Sequence, residues 1–318
     1  MTPGPPPPFV LREMSEGIHA AVAVPGGYGL CNAGIVDLGD STLVFDSMLT
    51  PMAGEELRRA AERLTGRPVD YLVNSHLHGD HVRGNVAFAP VRVVSSRKTR
   101  EVMAERSLAH LAEDRSTAAH NLEEVRSGRM APLPSERAVY EGWFQGILET
   151  PASLRIVLPD LTFDHELVIH GTRRDVHLRT YGGGHSASDV FAFVPDQKVA
   201  FLGDLLSIGF HPWLTDGDPE KLSEILDRIG TLGPESTLPG HGPVGTGEDV
   251  RQMGEYVAEV RREGREARRR GATLEEVGRT PTPERYSAWT FSSQYARNVA
   301  FVFERTGASG VGGAPAHP

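Results

Sequence analysis

Four side chains able to hold a metal ion, His76, His78, Asp80 and His81, fall within six consecutive positions of NSHLHGDHVRGN, residues 74–85. Imidazole nitrogen and carboxylate oxygen are ligands suited to zinc, and a loop can turn neighbouring residues towards two different points in space. Three more candidates follow at long intervals: His185 in YGGGHSASD, Asp204 in FLGDLL and His241 in LPGHGPV. Each comes after a strand-like run and sits in or beside a glycine-rich turn, where glycine admits backbone conformations closed to other residues and lets the side chain be aimed. A single cluster is compatible with a solvated loop, but the ordered set argues for ligands converging from distant parts of the chain. Two ions about 3.5–4 Å apart share a water and lower its pKa towards neutrality, so hydrolysis needs no serine or cysteine nucleophile.

The elements around these residues read as βαβ logic. Apolar runs at Ile18–Val24, Ala33–Leu38 and Thr42–Asp46 are punctuated by turn signals, and Pro51–Gly66 has a proline near its start, helical leucine and charge spacing, and a closing glycine. A strand over Val69–Asn74 then delivers the first histidine cluster onto a loop at its carboxyl end, where open α/β sheets form their binding crevice. Residues 97–150 break the rhythm and read as a mostly helical insertion. Its aromatics Tyr140, Trp143 and Phe144 either line a substrate entrance or, more simply, pack the helix onto the core. Strand signals return over Leu161–Ile169, Asp175–Tyr181, Val190–Val194 and Val199–Leu202, followed by a helix from Pro219 to about Ile229 and a short strand ending at Pro239. From about Glu248 to Arg305 the chain reads as helical, and its basic run RREGREARRR reads as a solvated helix face. The proline-rich residues 1–8 are expected to form an extended, disordered arm and residues 307–318 a disordered tail. Between them lie a catalytic domain over 9–246 and a helical extension over 247–306.

The stretch HLHGDH resembles the HxHxDH signature of the metallo-β-lactamase superfamily, and His185, Asp204 and His241 resemble the family's remaining metal-ligand motifs in the expected order. The resemblance covers roughly residues 17 to 245. It implies an α/β fold, a four-layer αββα sandwich with metals at one edge between two sheets. It places His76, His78 and His185 on a first metal, Asp80, His81 and His241 on a second, and Asp204 between them. The implied cofactors are two Zn2+ per chain, with iron or manganese as alternatives. Asp46, at the end of TLVFD, matches a family aspartate that orients the ligands by hydrogen bonding, a role with physical sense because a ligating histidine usually donates its other N–H. The implied activity is attack of a metal-bridging hydroxide on an ester, lactone or thioester, with Asp80 and Asp204 as catalytic groups that orient the hydroxide or relay a proton. Members that cleave β-lactams typically carry cysteine or serine where this chain has Asp204, so the family name is not an antibiotic-resistance assignment.

Two other readings stay open: a phosphodiesterase acting on small phosphodiesters, and a mononuclear iron oxidoreductase of the persulfide dioxygenase kind using His76, His185 and Asp204. The segment LLSIGFHPWLTDGD after Asp204 offers Phe210, His211, Trp213 and Leu214 as one wall of a substrate pocket. The only cysteine, Cys31, cannot form an intramolecular disulfide and reads as a buried small residue, far from the ligand motifs in sequence. A net charge of −9 weighs against nucleic acid as a partner and leaves a small molecule as the expected one. No secretory signal and no run of the roughly 20 apolar residues a membrane helix needs is seen, which makes cytoplasmic residence the default expectation. Homo-oligomer formation stays open.

Overall fold

The structure, a computed structural model, describes residues 6–130 and 133–308. Seven strands form one sheet in the order of the chain: β1 (Phe9–Ser15), β2 (Ile18–Ala23), β3 (Ala33–Asp37), β4 (Thr42–Phe45), β5 (Tyr71–Val73), β6 (Arg92–Ser96) and β7 (Leu161–Phe163). The first four pair antiparallel and the last four, from β4 on, pair parallel. A second, five-stranded sheet holds β8 (Glu166–Ile169), β9 (Val176–Thr180), β10 (Val190–Val194), β11 (Val199–Ser207) and β12 (Ser236–His241), antiparallel except for the parallel pair β11–β12.

The sheets stack because their strands are apolar on both faces. In β4 every residue is buried: Leu43 and Phe45 point into the inter-sheet core with Val36, Leu178 and Phe201, while Val44 points the other way, onto helix α1 (Pro51–Thr65). That alternation is what a strand with period two produces when both its faces are covered. Helix α1 is capped by the Thr50 hydroxyl, which accepts from the Ala53 N–H, starts with Pro51, and ends at Gly66 in the left-handed conformation. On the outer face of the second sheet lie α5 (Pro219–Thr231), α6 (Gly247–Arg269) and α8 (Gln294–Ala308). A short helical turn α2 (Gly79–Val82) follows the first histidines, α3 (Arg97–Arg126) and α4 (Pro134–Glu149) connect β6 to β7, and α7 (Leu274–Val277) precedes α8. The result is the αββα sandwich.

Several expectations meet a different outcome. Strands β1 and β6 have no counterpart in the sequence reading. Most of β1 is exposed, from Val10 to Glu13, with no apolar–polar alternation to mark it, while β6 has only Val93 and Val94 as apolar signal; its Ser95 is buried because its hydroxyl donates to the Asn74 carbonyl at 2.8 Å. The run Leu161–Ile169 is two strands, because the chain leaves one sheet after Phe163 and joins the other at Glu166. The C-terminal segment is not continuously helical: Pro281 and Pro283 interrupt it, leaving only a 3-10 turn at Glu284–Tyr286 between α7 and α8. Of the proline arm, Pro8 is held by a hydrogen bond from the Val24 N–H to its carbonyl (3.2 Å). Residues 1–5 and 309–318 lie outside the described residues, and α8 runs through the start of the expected tail to Ala308. The basic run is a solvated helix face, as expected: Arg262, Arg265, Arg268, Arg269 and Arg270 are exposed, with Arg261 and Arg265 reaching Glu220, Arg262 reaching Glu259, and Arg268 lying over the Phe303 ring at 5.1 Å. Among the described residues, no helix is long and apolar enough to cross a membrane.

Close contact between the sheets depends on Gly34 in β3. A Cβ there would stand 2.8 Å from the Phe201 ring of the opposing sheet, inside a fully buried core. Gly34→Ala should therefore destabilise the fold by about 1–3 kcal/mol through overpacking. The expected observation is a lower urea midpoint with an unchanged slope.

Candidate metal centre

The seven predicted ligands come together at one edge of the sandwich, where strands of both sheets end. Asn74 to His76 leave β5, Asp204 lies within β11, His241 ends β12, and His185 sits on the loop between β9 and β10. They form two groups: His76, His78, His185 and Asp204, then Asp80, His81 and His241, with ligand atoms in each group within 4.8 Å of one another. His78 Nδ1 lies 3.0 Å from both His76 Nε2 and His185 Nε2. Asp204 stands between the groups with its oxygens divided. Its Oδ2 lies 3.3 Å from His185 Nε2 and 3.8 Å from His76 Nε2; its Oδ1 lies 3.2 Å from His81 Nε2 and 3.5 Å from His241 Nε2.

Most of the outward-facing imidazole nitrogens are engaged, which fixes what the inward-facing ones present. Asp46 is fully buried at the end of β4, and its Oδ1 accepts from the Ser75 N–H at 2.7 Å. Its Oδ2 accepts from His81 Nδ1–H and from the Ser75 hydroxyl, both at 2.8 Å. That hydroxyl in turn lies 2.9 Å from His76 Nδ1 and can accept its proton. His78 Nε2 donates to Asp216 at 3.0 Å and His241 Nδ1 to the Leu30 carbonyl at 3.2 Å. With those protons spent outward, His76, His78, His81 and His241 turn lone pairs inward. Buried His81 Nε2 and Asp204 Oδ1 face each other without a hydrogen bond to any described residue. Imidazole and carboxylate donors crowded this closely around one space are the surroundings of a cation, so the donor set fits metal.

The electrostatics divide the imidazoles: burial opposes protonation of His81, yet the groups around it, Cys31, Asp204, Asp80 and Asp46, raise it well above the ordinary value. Burial pushes the pKa values of His76 and His185 down, which keeps them neutral and able to ligate. Burial opposes protonation of His78 and His241 as well, but Asp216 and Asp204 respectively outweigh it and raise them. Burial opposes ionisation of Asp204, yet the surrounding imidazoles His241, His81 and His185 hold its carboxyl well below the usual range.

Residues not singled out in the sequence build the frame. Asn74 and Asn85, flanking the first cluster, exchange side-chain hydrogen bonds at 2.8 and 2.9 Å and close the ligand loop. Asp189 accepts from the backbone N–H groups of Gly184, His185 and Ser186, which fixes the turn carrying His185. Asp216 stands in the stretch LTDGD; a carboxylate next to glycine, twelve residues after Asp204, is a weak signal, and its partner His78 lies 138 positions away. Gly240 has a steric reason, since a Cβ there would sit 1.8 Å from Asp204 Oδ1. Cys31, remote in sequence, lies beside the site: its thiol is fully buried and donates to the Asp80 carbonyl at 2.9 Å, and burial pushes its pKa up to about 12.

A cavity of about 460 Å³ opens over Asp80, Asp204, His78 and His241. Phe210, Trp213 and Trp143 line it, and Trp213 is 42 % exposed. Phe144 is packed between α3 and α4, and Leu214 is fully buried in the core rather than in the pocket wall. His211 borders the cavity but is 2 % exposed, and both its nitrogens are engaged, Nδ1 with the Tyr256 hydroxyl at 3.0 Å and Nε2 with the Tyr286 carbonyl at 3.2 Å.

A family model described as the metallo-β-lactamase superfamily matches residues 26–241. The chain belongs to that superfamily and is a metal-dependent hydrolase. Solved structures similar to it include a metallo-β-lactamase from Pontibacter korlensis (18 % identity, TM-score 0.56, covering 79 % of this chain and 99 % of that one). Another is a metallo-β-lactamase from Erythrobacter litoralis (16 % identity, TM-score 0.57, covering 79 % and 97 %). A third is a double mutant of the sec-alkyl sulfatase PisA1 (16 % identity, TM-score 0.68), which covers 94 % of this chain and 50 % of that one.

Two outcomes are expected. Asp46→Asn weakens the outer hydrogen bonds of His81 and His76, so metal affinity should fall by about 10–100-fold, measured by competition with a chromogenic chelator. Burial lowers the His211 pKa to about 4, against an ordinary value near 6.5. A neutral buried histidine stabilises the fold above its unfolded pKa, and that contribution is lost as pH falls from about 6.5 towards 4, at up to about 1.4 kcal/mol per pH unit. Denaturation midpoints at several pH values in this window should fall more steeply for the parent protein than for His211→Gln.

Proposed function

We propose that the chain hydrolyses a small ester, lactone or thioester at a dinuclear zinc centre. The observation that carries this reading is the division of Asp204, one oxygen facing the His76–His185 group and the other the His81–His241 group. A mononuclear iron site would use only His76, His185 and Asp204, and the complete second set of Asp80, His81 and His241 favours two ions. A metal pair bound there supplies an acidified water and a Lewis acid for the substrate oxygen. The protein's part is to hold that chemistry in place. Asp80 and Asp204 orient the attacking water, with Asp80 placed to relay its proton, while Asp46, Ser75 and Asp216 fix the imidazoles. The aromatic wall of Phe210, Trp213 and Trp143 takes the apolar part of the substrate and excludes water.

The likeness to a sec-alkyl sulfatase, which extends over most of this chain, makes a sulfate ester the second reading. The cavity wall speaks against it and against phosphodiesters. Arg83, its one guanidinium among the described residues, is buried against Asp114, while Glu113 and Asp216 add further negative charge. An anionic ester would meet little counter-charge outside the metals.

The test is metal analysis with a substrate panel of a lactone, a thioester, a β-lactam, bis-p-nitrophenyl phosphate and a secondary alkyl sulfate. We expect about two zinc per chain, turnover of the lactone or thioester, its loss to the background rate on chelation, and recovery with zinc. One iron per chain, or turnover confined to the phosphate or sulfate, would overturn the reading.

A further inference from the structure

We infer that the substrate of this cavity carries a positively charged amine or quaternary ammonium group, held away from the scissile bond by an aromatic and acidic wall. The inference rests on reading the metal cavity as the substrate site and adds to it the charge of the substrate.

The acidic side of the wall comes mainly from α3. His110, Glu113 and Asp114 are spaced three and four residues apart, so they share one helix face, and all of them line the cavity. Asp216 faces the same space from the loop after β11. These three carboxylates meet one guanidinium, Arg83, which is almost fully buried and committed to Asp114. Asp216 spends one oxygen on His78 and leaves its side chain 53 % exposed. The carboxylate of Glu113 has no hydrogen bond or ion pair with any described residue. Setting the metal ligands aside, Arg83 balances Asp114, and among the described residues Glu113 and Asp216 face only the imidazole of His110 as a further basic group, so the wall keeps an excess of negative charge in a chain whose net charge is already −9.

The remainder of the wall is aromatic. Trp143 comes from α4, Phe210 and Trp213 from the segment after β11, and Phe291 from the turn before α8. Phe210 and Phe291 meet edge to face with centroids 5.7 Å apart, and Tyr140 supports Phe291 from behind at 5.0 Å. Aromatic faces attract a cation through their quadrupole, and several faces beside carboxylates are the surroundings in which quaternary ammonium groups are bound. A purely apolar substrate would use the aromatic faces but gain nothing from the carboxylates. An anionic substrate would be repelled by them.

Two measurements on the zinc-loaded protein test this. Binding of choline and of its uncharged carbon analogue 3,3-dimethylbutan-1-ol is followed by quenching of tryptophan fluorescence. Hydrolysis of butyrylthiocholine is compared with that of the matching uncharged 3,3-dimethylbutyl thioester. Choline should bind about tenfold more tightly than the alcohol. Glu113→Gln should reduce that preference by about threefold or more, as should raised salt. The charged thioester should show the higher kcat/KM, with the same dependence on Glu113. Equal affinities for choline and the alcohol, or a preference unchanged in Glu113→Gln, would overturn the inference even if both thioesters are cleaved. If neither thioester is cleaved, the ester and thioester reading fails, and the binding pair still decides the charge of the ligand.

Discussion

The site is organised around a carboxylate buried where ionisation is costly. Asp46 lies at the end of β4 with no access to water, and burial drives its pKa above the ordinary value. What keeps it useful is that both of its oxygens are saturated by groups the protein needs to hold still: the Ser75 amide, the Ser75 hydroxyl and the His81 ring. The backbone conformation is part of the arrangement, since Asp46 takes a φ of 63°, a region disfavoured for residues other than glycine, asparagine and aspartate. One side chain at one strand end thus orients imidazoles on both sides of Asp204, directly through His81 and by way of Ser75 through His76. Gly203 leaves room for this, because a Cβ there would come within 2.7 Å of the Ser75 side chain.

That dependence explains which parts of the molecule were legible in the sequence. The convergence of the seven candidate ligands was legible because metal chemistry restricts residue type: few side chains other than His and Asp can place lone pairs on a shared ion, and their order along the chain follows the order of strand ends. Asp46 was legible only through the resemblance of TLVFD to a family motif, since a carboxylate closing an apolar run is by itself an ordinary strand end. The ordinary strands β2 to β4 and helix α1 were legible from alternation and capping, within a residue or so at each end. Strands β1 and β6 were not: the edge strand β1 leaves apolar and charged residues alike to solvent and so shows no alternation, and a buried serine has no apolar signature when its hydroxyl is paired.

The supporting residues were hidden for a different reason. Asp216, Asp189, Asn74 and Asn85 are ordinary loop residues whose significance lies in the partner each one meets. Asp216 meets His78 across more than a hundred positions, and no periodicity or spacing rule connects them. Cys31 makes the same point in reverse. It reads as a buried small residue far from the motifs in sequence, and it is buried, but the turn leading into β3 carries it against the Asp80 carbonyl, while Asn32 next to it donates to the carbonyls of Pro239 and Gly242. Those bonds tie the first sheet to the strand end that presents His241.

The metal ligands and the cavity wall come from different kinds of element, and this separates the chemistry from its selectivity. The ligands sit on strand ends and short turns inside the matched residues 26–241. The wall comes from α3 and α4, from the loop after β11, and from Phe291 beyond that stretch. Phe291 is not a loose appendage: Thr290 exchanges backbone hydrogen bonds with the segment after β11, donating to the Gly209 carbonyl and accepting from the His211 N–H. His211 in turn is pinned by Tyr256 of α6 and by the Tyr286 carbonyl. The C-terminal helices therefore hold the loop that carries Phe210 and Trp213, and they complete a cavity the sandwich alone would leave open on that side. Changes confined to α3, α4 or the 284–294 segment can alter which substrate fits while leaving every metal ligand untouched, and for that reason superfamily membership defines the reaction class of this chain but not its substrate.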